Sequence, residues 1–145
     1  MSDTKRMLSD LFIDIFNQIL ALEEKVLSSG SNVSITETHV LEAIKKCDPP
    51  TMGIVAGKLL ITPGTLTTSV NKLIDKGYVT RHRSEVDRRI VTLSLTDEGE
   101  EIFKLHEEFH EEMIAAAVED LECHEDLKKA LESMNDFFQR LRDKY

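Results

Sequence analysis

A chain of 145 residues is long enough for one compact domain with its own core and short for two. Its apolar fraction of 41% and charged fraction of 31% suit a soluble protein, and no apolar run approaches the roughly 20 residues of a membrane span. Lys5 and Arg6 precede an apolar stretch, but Asp10, Asp14 and Glu23 interrupt it, which predicts an amphipathic helix and not a secretory signal. Cys47 and Cys123 lie too far apart in sequence to form a metal-type pair, so a reduced, cytoplasmic protein is expected.

The net charge of −9 disfavours a polyanionic partner until its distribution is considered. Residues 1–50 carry 5 Lys/Arg against 8 Asp/Glu, and residues 96–145 carry 6 against 16. Residues 51–95 carry 7 against 3, a local balance of +4. Positive charge is therefore gathered in the middle third, with acidic flanks that would keep the rest of the chain off a phosphate backbone.

In chain order, Leu8, Leu11, Phe12, Ile15, Ile19, Leu22 and Val26 recur at three- and four-residue steps and predict a long first helix. Ser34 with Glu37 fits a capping box opening a second helix, which Asp48, Pro49 and Pro50 end. Thr51 caps a short third helix. Thr62–Pro63 opens a fourth that runs to Lys76, with Gly77 as its left-handed cap. The period then switches to two: Val79–Arg83 and Ile90–Leu95 predict a hairpin with a charged tip over 84–89. Thr96, Asp97 and Glu98 open a fifth helix to about Val118, and a sixth spans about Glu125 to Arg142. The expected fold is mainly α with a small β wing.

The order short helix, tight turn, helix and basic hairpin over 51–89 is that of a winged helix-turn-helix, in which the second helix enters a major groove and the hairpin reaches beside it. On the fourth helix, Leu66, Ser69, Val70 and Leu73 turn inward, leaving Gly64, Thr65, Thr67, Thr68, Asn71 and Lys72 outward. Four threonines in seven positions, Thr62 included, are poor helix formers. A merely solvated face would carry Glu, Lys and Gln instead, whereas small hydroxyl side chains allow close approach to base edges. Arg83, Arg88 and Arg89 flank a turn in which Asp87 is expected to pair with an arginine and stiffen the tip.

These stretches, with Thr65-Leu66-Thr67-Thr68, Asp87-Arg88-Arg89 and Leu93-Ser94-Leu95-Thr96, resemble the MarR family of bacterial regulators over nearly the whole chain. The resemblance implies one domain over 1–145. Residues 36–95 would form the DNA-binding core, and 1–30 and 96–145 a helical dimerisation region. It also implies a homodimer on double-stranded operator DNA, with a ligand pocket near its base. Residue by residue, Thr65, Thr67, Thr68 and Asn71 match recognition-helix positions, while Asp87 and Arg89 match the wing Asp and Arg.

A narrower resemblance rests on Ser34 to His39, Thr62 to Ser69, Arg83 to Arg89 and Leu105 to His110. These look like the MarR-type repressor of fatty-acid biosynthesis genes. That resemblance implies control by a long-chain acyl group on acyl carrier protein, with Phe12, Ile15, Phe16, Ile19, His39, His106, Phe109, His110 and Met113 as candidate pocket residues. Several of these fit a plain core or dimer interface equally well. No resident cofactor or metal is expected. The alternative is a zinc-responsive MarR-type regulator using His39, His106 and His110, with Glu23 or Glu24 as the acid. A helical module binding only protein is the third reading. No phosphate loop, nucleophile elbow or paired-carboxylate motif supports an enzyme, and neither cysteine has an obvious cationic neighbourhood that would favour peroxide sensing.

Overall fold

Apolar residues at helical spacing, then a short stretch of period two, then helical spacing again make six helices and one two-stranded hairpin. The computed structural model describes residues 2–119 and 123–144. The first helix is continuous but mixed: α1 (Asp3–Asp10) passes through a π-helical turn (Leu11–Ile15) into α2 (Phe16–Ser28), with right-handed helical backbone at every junction. The sequence periodicity predicts a regular helix from Leu8. The π turn adds an extra residue, spreading Leu11, Phe12, Ile13, Ile15 and Phe16 around the rod, all exposed in this chain.

Next come α3 (Ile35–Lys46), α4 (Met52–Leu59), α5 (Pro63–Asp75), β1 (Val79–Arg83), β2 (Val91–Leu95), α6 (Asp97–Val118) and α7 (His124–Lys144). Ile90, expected to begin the second strand, is instead tied into the tip: its amide donates to the Asp87 carbonyl and its own carbonyl accepts from the Ser84 amide. No helix among the described residues is long and apolar enough to cross a membrane.

The chain forms two compact units, one ending at Phe109 and the other beginning at His110. The core of the first joins Leu41 and Ile44 of α3, Val55 of α4, Leu66, Val70 and Leu73 of α5, and Val79 and Leu93 of the hairpin. Fully burying each of these side chains contributes about 1.5–3 kcal/mol. The hairpin is antiparallel, pairing Val79 with Leu95, Arg81 with Leu93 and Arg83 with Val91. A lone hairpin is marginal in water, and here two further ties hold it. The Leu93 amide donates to the Pro50 carbonyl, and Thr51 forms an isolated bridge with Thr92, so the residues just before α4 hold the edge of β2. In the second unit, α7 is amphipathic, with Leu131, Phe137, Phe138 and Leu141 exposed in this chain.

Candidate nucleic-acid interface

Two caps and a proline define the helix-turn-helix. The Thr51 hydroxyl accepts from the Ile54 amide at 3.3 Å, the Thr62 hydroxyl accepts from the Thr65 amide at 3.2 Å, and Pro63 occupies the first turn of α5, where a missing amide costs nothing. Between α4 and α5, Leu60 takes left-handed backbone (φ 57°) with 66% of its surface exposed. For a branched residue that conformation costs roughly 1–2 kcal/mol. At its far end α5 closes with the Gly77 amide on the Ile74 carbonyl and the Tyr78 amide on the Leu73 carbonyl, with Gly77 at φ 81°.

That end of α5 is also clamped to α3. Lys76 Nζ donates to both Glu37 oxygens, at 3.0 and 2.8 Å, and to the Asn32 carbonyl at 2.8 Å. Glu37 simultaneously accepts from the Ser34 amide at 2.9 Å and completes the capping box. Burial alone would raise the Glu37 carboxyl, but the Lys76 ammonium and the Ser34 amide outweigh it and hold the group below its ordinary value.

Leu66, Val70 and Leu73 of α5 are buried and Ser69 half-buried, as their spacing predicts, while Thr62, Gly64, Thr65, Thr67, Thr68, Asn71 and Lys72 are exposed. The threonine hydroxyls are ordered along the helix. Thr67 donates to the Pro63 carbonyl at 2.8 Å, Thr68 donates to the Gly64 carbonyl at 3.2 Å, and Thr65 and Thr62 share a hydrogen bond of 2.8 Å. With their protons committed to helix carbonyls, Thr67 and Thr68 keep an acceptor oxygen available to a partner.

The hairpin tip is built around Asp87, but not through the arginine pairing expected from sequence. Its carboxylate accepts from the Arg89 backbone amide at 3.0 Å, and its own amide donates to the Ser84 hydroxyl at 3.2 Å. Asp87 folds the turn through the main chain, as Asx residues do. Among the described residues no ion pair involves Arg83, Arg88 or Arg89. All three guanidinium-bearing residues are exposed. Met52, Pro63, Thr67, Arg89 and Val91 line one cleft between α5 and the base of the wing. Thr67 of the hydroxyl-lined helix and Arg89 of the cationic hairpin thus share one cleft. Arg81, which outward-face reasoning on α5 alone passes over, donates to the Asn71 carboxamide oxygen at 2.8 Å. Strand alternation was the signal for it, since Arg81 pairs with the buried Leu93 and so stands on the face of the hairpin turned toward the core.

A family profile described as "Transcriptional regulator SarA/Rot" matches residues 24–106, more than half of the chain. The structure of Streptococcus pneumoniae FabT in complex with DNA is 37% identical, covers 99% of this chain and 100% of its own, and superposes with a TM-score of 0.81. The chain belongs to the MarR family of winged-helix transcriptional regulators. The transcriptional repressor MdtR of Bacillus subtilis is 31% identical over 100 residues, 69% of this chain and 61% of that protein, so this MarR-family chain spans about three fifths of its length. Staphylococcus aureus MarR, solved with salicylate and kanamycin, has a TM-score of 0.79 over 98% of this chain and 95% of its own. At 22% identity it shows the MarR fold alone.

Elsewhere on this MarR-family chain, the residues expected to form a ligand pocket separate into groups. Phe12, Ile15, Phe16 and Ile19 line one shallow apolar groove with Leu11. His39 and His106 meet in a different place, with Glu23 as the acid. Glu23 and His106 are each 2% exposed, whereas Glu24 faces solvent, so Glu23 is the glutamate that lies beside the two histidines. His106 Nε2 donates to Glu23 Oε1 at 3.2 Å, His39 Nε2 lies 3.6 Å from Glu23 Oε2, and the two rings meet edge to face at 5.6 Å. Phe109 is half-buried at the end of the first unit, and His110 and Met113 are half-buried in the second. Cys47 is a half-buried free thiol and Cys123 an exposed one.

Proposed function

We propose that the chain is a homodimeric repressor of fatty-acid biosynthesis genes whose hold on operator DNA responds to a long-chain acyl group carried on acyl carrier protein. The observation that supports the DNA-binding part is the cleft in which Thr67 of α5 meets Arg89 of the wing, beside the exposed Thr65, Thr68 and Asn71 of α5 and the exposed Arg83 and Arg88 of the hairpin. Hydroxyl and amide groups suit base edges, and the arginines suit phosphates or a narrow minor groove. Residues 36–95 would serve as the reader, and the flanking helices 1–30 and 96–145 as the dimerisation region. Exposed apolar faces on α1–α2 (Phe12, Phe16, Leu22) and on α7 (Leu131, Phe138, Leu141) support that division, since contiguous apolar surface of this kind marks an interface.

The fatty-acid part rests on the narrower resemblance of the Thr62 to Ser69 and Arg83 to Arg89 stretches, and on the apolar groove of Phe12, Ile15, Phe16 and Ile19. Gel shifts on a duplex selected from a random pool test it. Acyl carrier protein charged with a long acyl chain is expected to change DNA affinity by at least tenfold, and the uncharged carrier to leave it unchanged. Equal effects of the two forms would refute the acyl reading while leaving the DNA-binding reading intact.

A second reading keeps the DNA reader and makes zinc the effector. Glu23, His39 and His106 each offer a ligand atom, all within 4.8 Å of one another, a donor set of two imidazoles and a carboxylate that suits zinc. Calorimetric titration of the metal-stripped protein with zinc distinguishes the two. Stoichiometric binding lost in His106→Gln supports this reading, and an absence of binding removes it.

A further inference from the structure

We propose that Arg81 is a positioning residue that fixes the Asn71 carboxamide with its donor end toward the duplex, and so biases the base facing it toward guanine. The inference rests on the reading of α5 as the recognition helix and deepens it. Along β1 the side chains alternate. Thr80 and His82 stand on one face and hydrogen-bond to the Ser94 hydroxyl, whereas Arg81 shares its face with Leu93, which is 1% exposed. From that face the Arg81 side chain reaches back over α5, and its guanidinium donates to Asn71 Oδ1 at 2.8 Å.

A guanidinium can only donate. The carboxamide is therefore held with its oxygen on the wing and its amino group turned away, and Asn71 is exposed. An asparagine that reads adenine uses both ends, the oxygen accepting from N6 and the amino group donating to N7. Here the oxygen is turned toward the wing by a cation that occupies one of its two lone pairs, so the two N–H donors, polarised by the charge behind them, are the groups turned away from the wing. Guanine offers two acceptors, N7 and O6, on its major-groove edge. Thr67, one turn earlier on the same side of α5, lies in the cleft with Arg89 and Val91, so both positions follow the seam between helix and wing. Arg81 thereby links the wing to base choice on the helix without itself needing to touch a base.

The test is selection from random duplexes by the full chain, followed by affinity measurements across a salt series. The variants are Arg81→Met, Asn71→Ala, the double variant and Asn71→Asp. The wild type is expected to prefer guanine at the position whose preference Asn71→Ala abolishes. Arg81→Met keeps the aliphatic stem and is expected to lose roughly tenfold of the guanine-to-adenine ratio at that position alone. The double variant should lose no more than either single one. Asn71→Asp can pair with Arg81 as an ion pair and fold normally, yet has no donor, so it should lose the guanine preference and favour cytosine.

The inference is overturned if Arg81→Met weakens all duplexes equally with the base ratio intact, if the two single effects multiply, if Asn71→Asp still selects guanine, or if the wild type selects adenine there. Failure of the wild type to select any duplex overturns the reading of α5 itself, a result distinguishable from these.

Discussion

Adding one methyl group at either of two helical glycines should move stability in opposite directions. A Cβ at Gly99, in the first turn of α6, would lie 2.2 Å from the Tyr78 carbonyl oxygen and 3.1 Å from its carbon. That carbonyl cannot swing aside freely, because it accepts from the Thr96 amide at 3.0 Å and so anchors the start of α6 to the base of the wing. Overpacking costs about 1–3 kcal/mol, and loss of the hydrogen bond adds about 1 kcal/mol. Gly99→Ala should therefore lose about 3 kcal/mol, which for a chain of this size is a fall of roughly 6–12 °C in Tm.

At Gly57, inside α4, the added Cβ meets nothing within 4 Å, and the backbone is ordinary helix. Gly57→Ala should gain about 0.5–1 kcal/mol from lower unfolded-state entropy and better helix propensity. Thermal melts of both variants and the parent at one protein concentration decide the matter. Equal Tm values for Gly99→Ala and the parent would refute the assigned contact between α6 and the wing base.

The Glu37 carboxyl is depressed in the folded state, so its stabilising contribution is present above its ordinary value of 4.5 and is lost as the pH falls through the folded value. Glu37→Gln should cost about 1–2 kcal/mol at pH 7 and flatten the decline of the urea midpoint below pH 4.5; parallel acid limbs would contradict the clamp. Arg89→Ala should weaken binding to every duplex and reduce the slope of log K against log salt by about 1. Thr67→Val keeps the methyl group but removes the acceptor oxygen, so it should alter sequence preference while leaving the salt slope as it was. Phe16→Glu, placed on the exposed apolar face of α2, should shift sedimentation of the protein toward the monomer; an unchanged sedimentation coefficient would remove that face from the proposed interface.

Much of the architecture was legible because local rules and the global fold agree. The Ser34–Glu37 box, the Thr62–Pro63 start and the Gly77 stop occur where their chemistry predicts, and the switch to period two at Val79 marks the wing. What could not be read depends on groups distant in sequence. Lys76 on Glu37, Arg81 on Asn71, and the Pro50–Leu93 tie that fixes the approach to α4 against β2 all require the tertiary arrangement. Helical periodicity gave no sign of the π turn at Leu11–Ile15, since seven apolar positions fit an ordinary helix equally well. Asp87 was recognisable as a turn former, but whether its carboxylate takes a guanidinium or a main-chain amide depends on the turn's backbone conformation, which residue identity does not fix.

The central claim is that cationic wing residues and the outward face of α5 act together on duplex DNA. Selection of random duplexes by the full chain, followed by the salt dependence of the recovered sites, tests it most directly. The expected result is a pair of half-sites related by twofold symmetry, about one helical turn apart, with affinity falling steeply as salt rises. No enriched sequence, together with affinity for duplexes that is negligible or insensitive to salt, would contradict it.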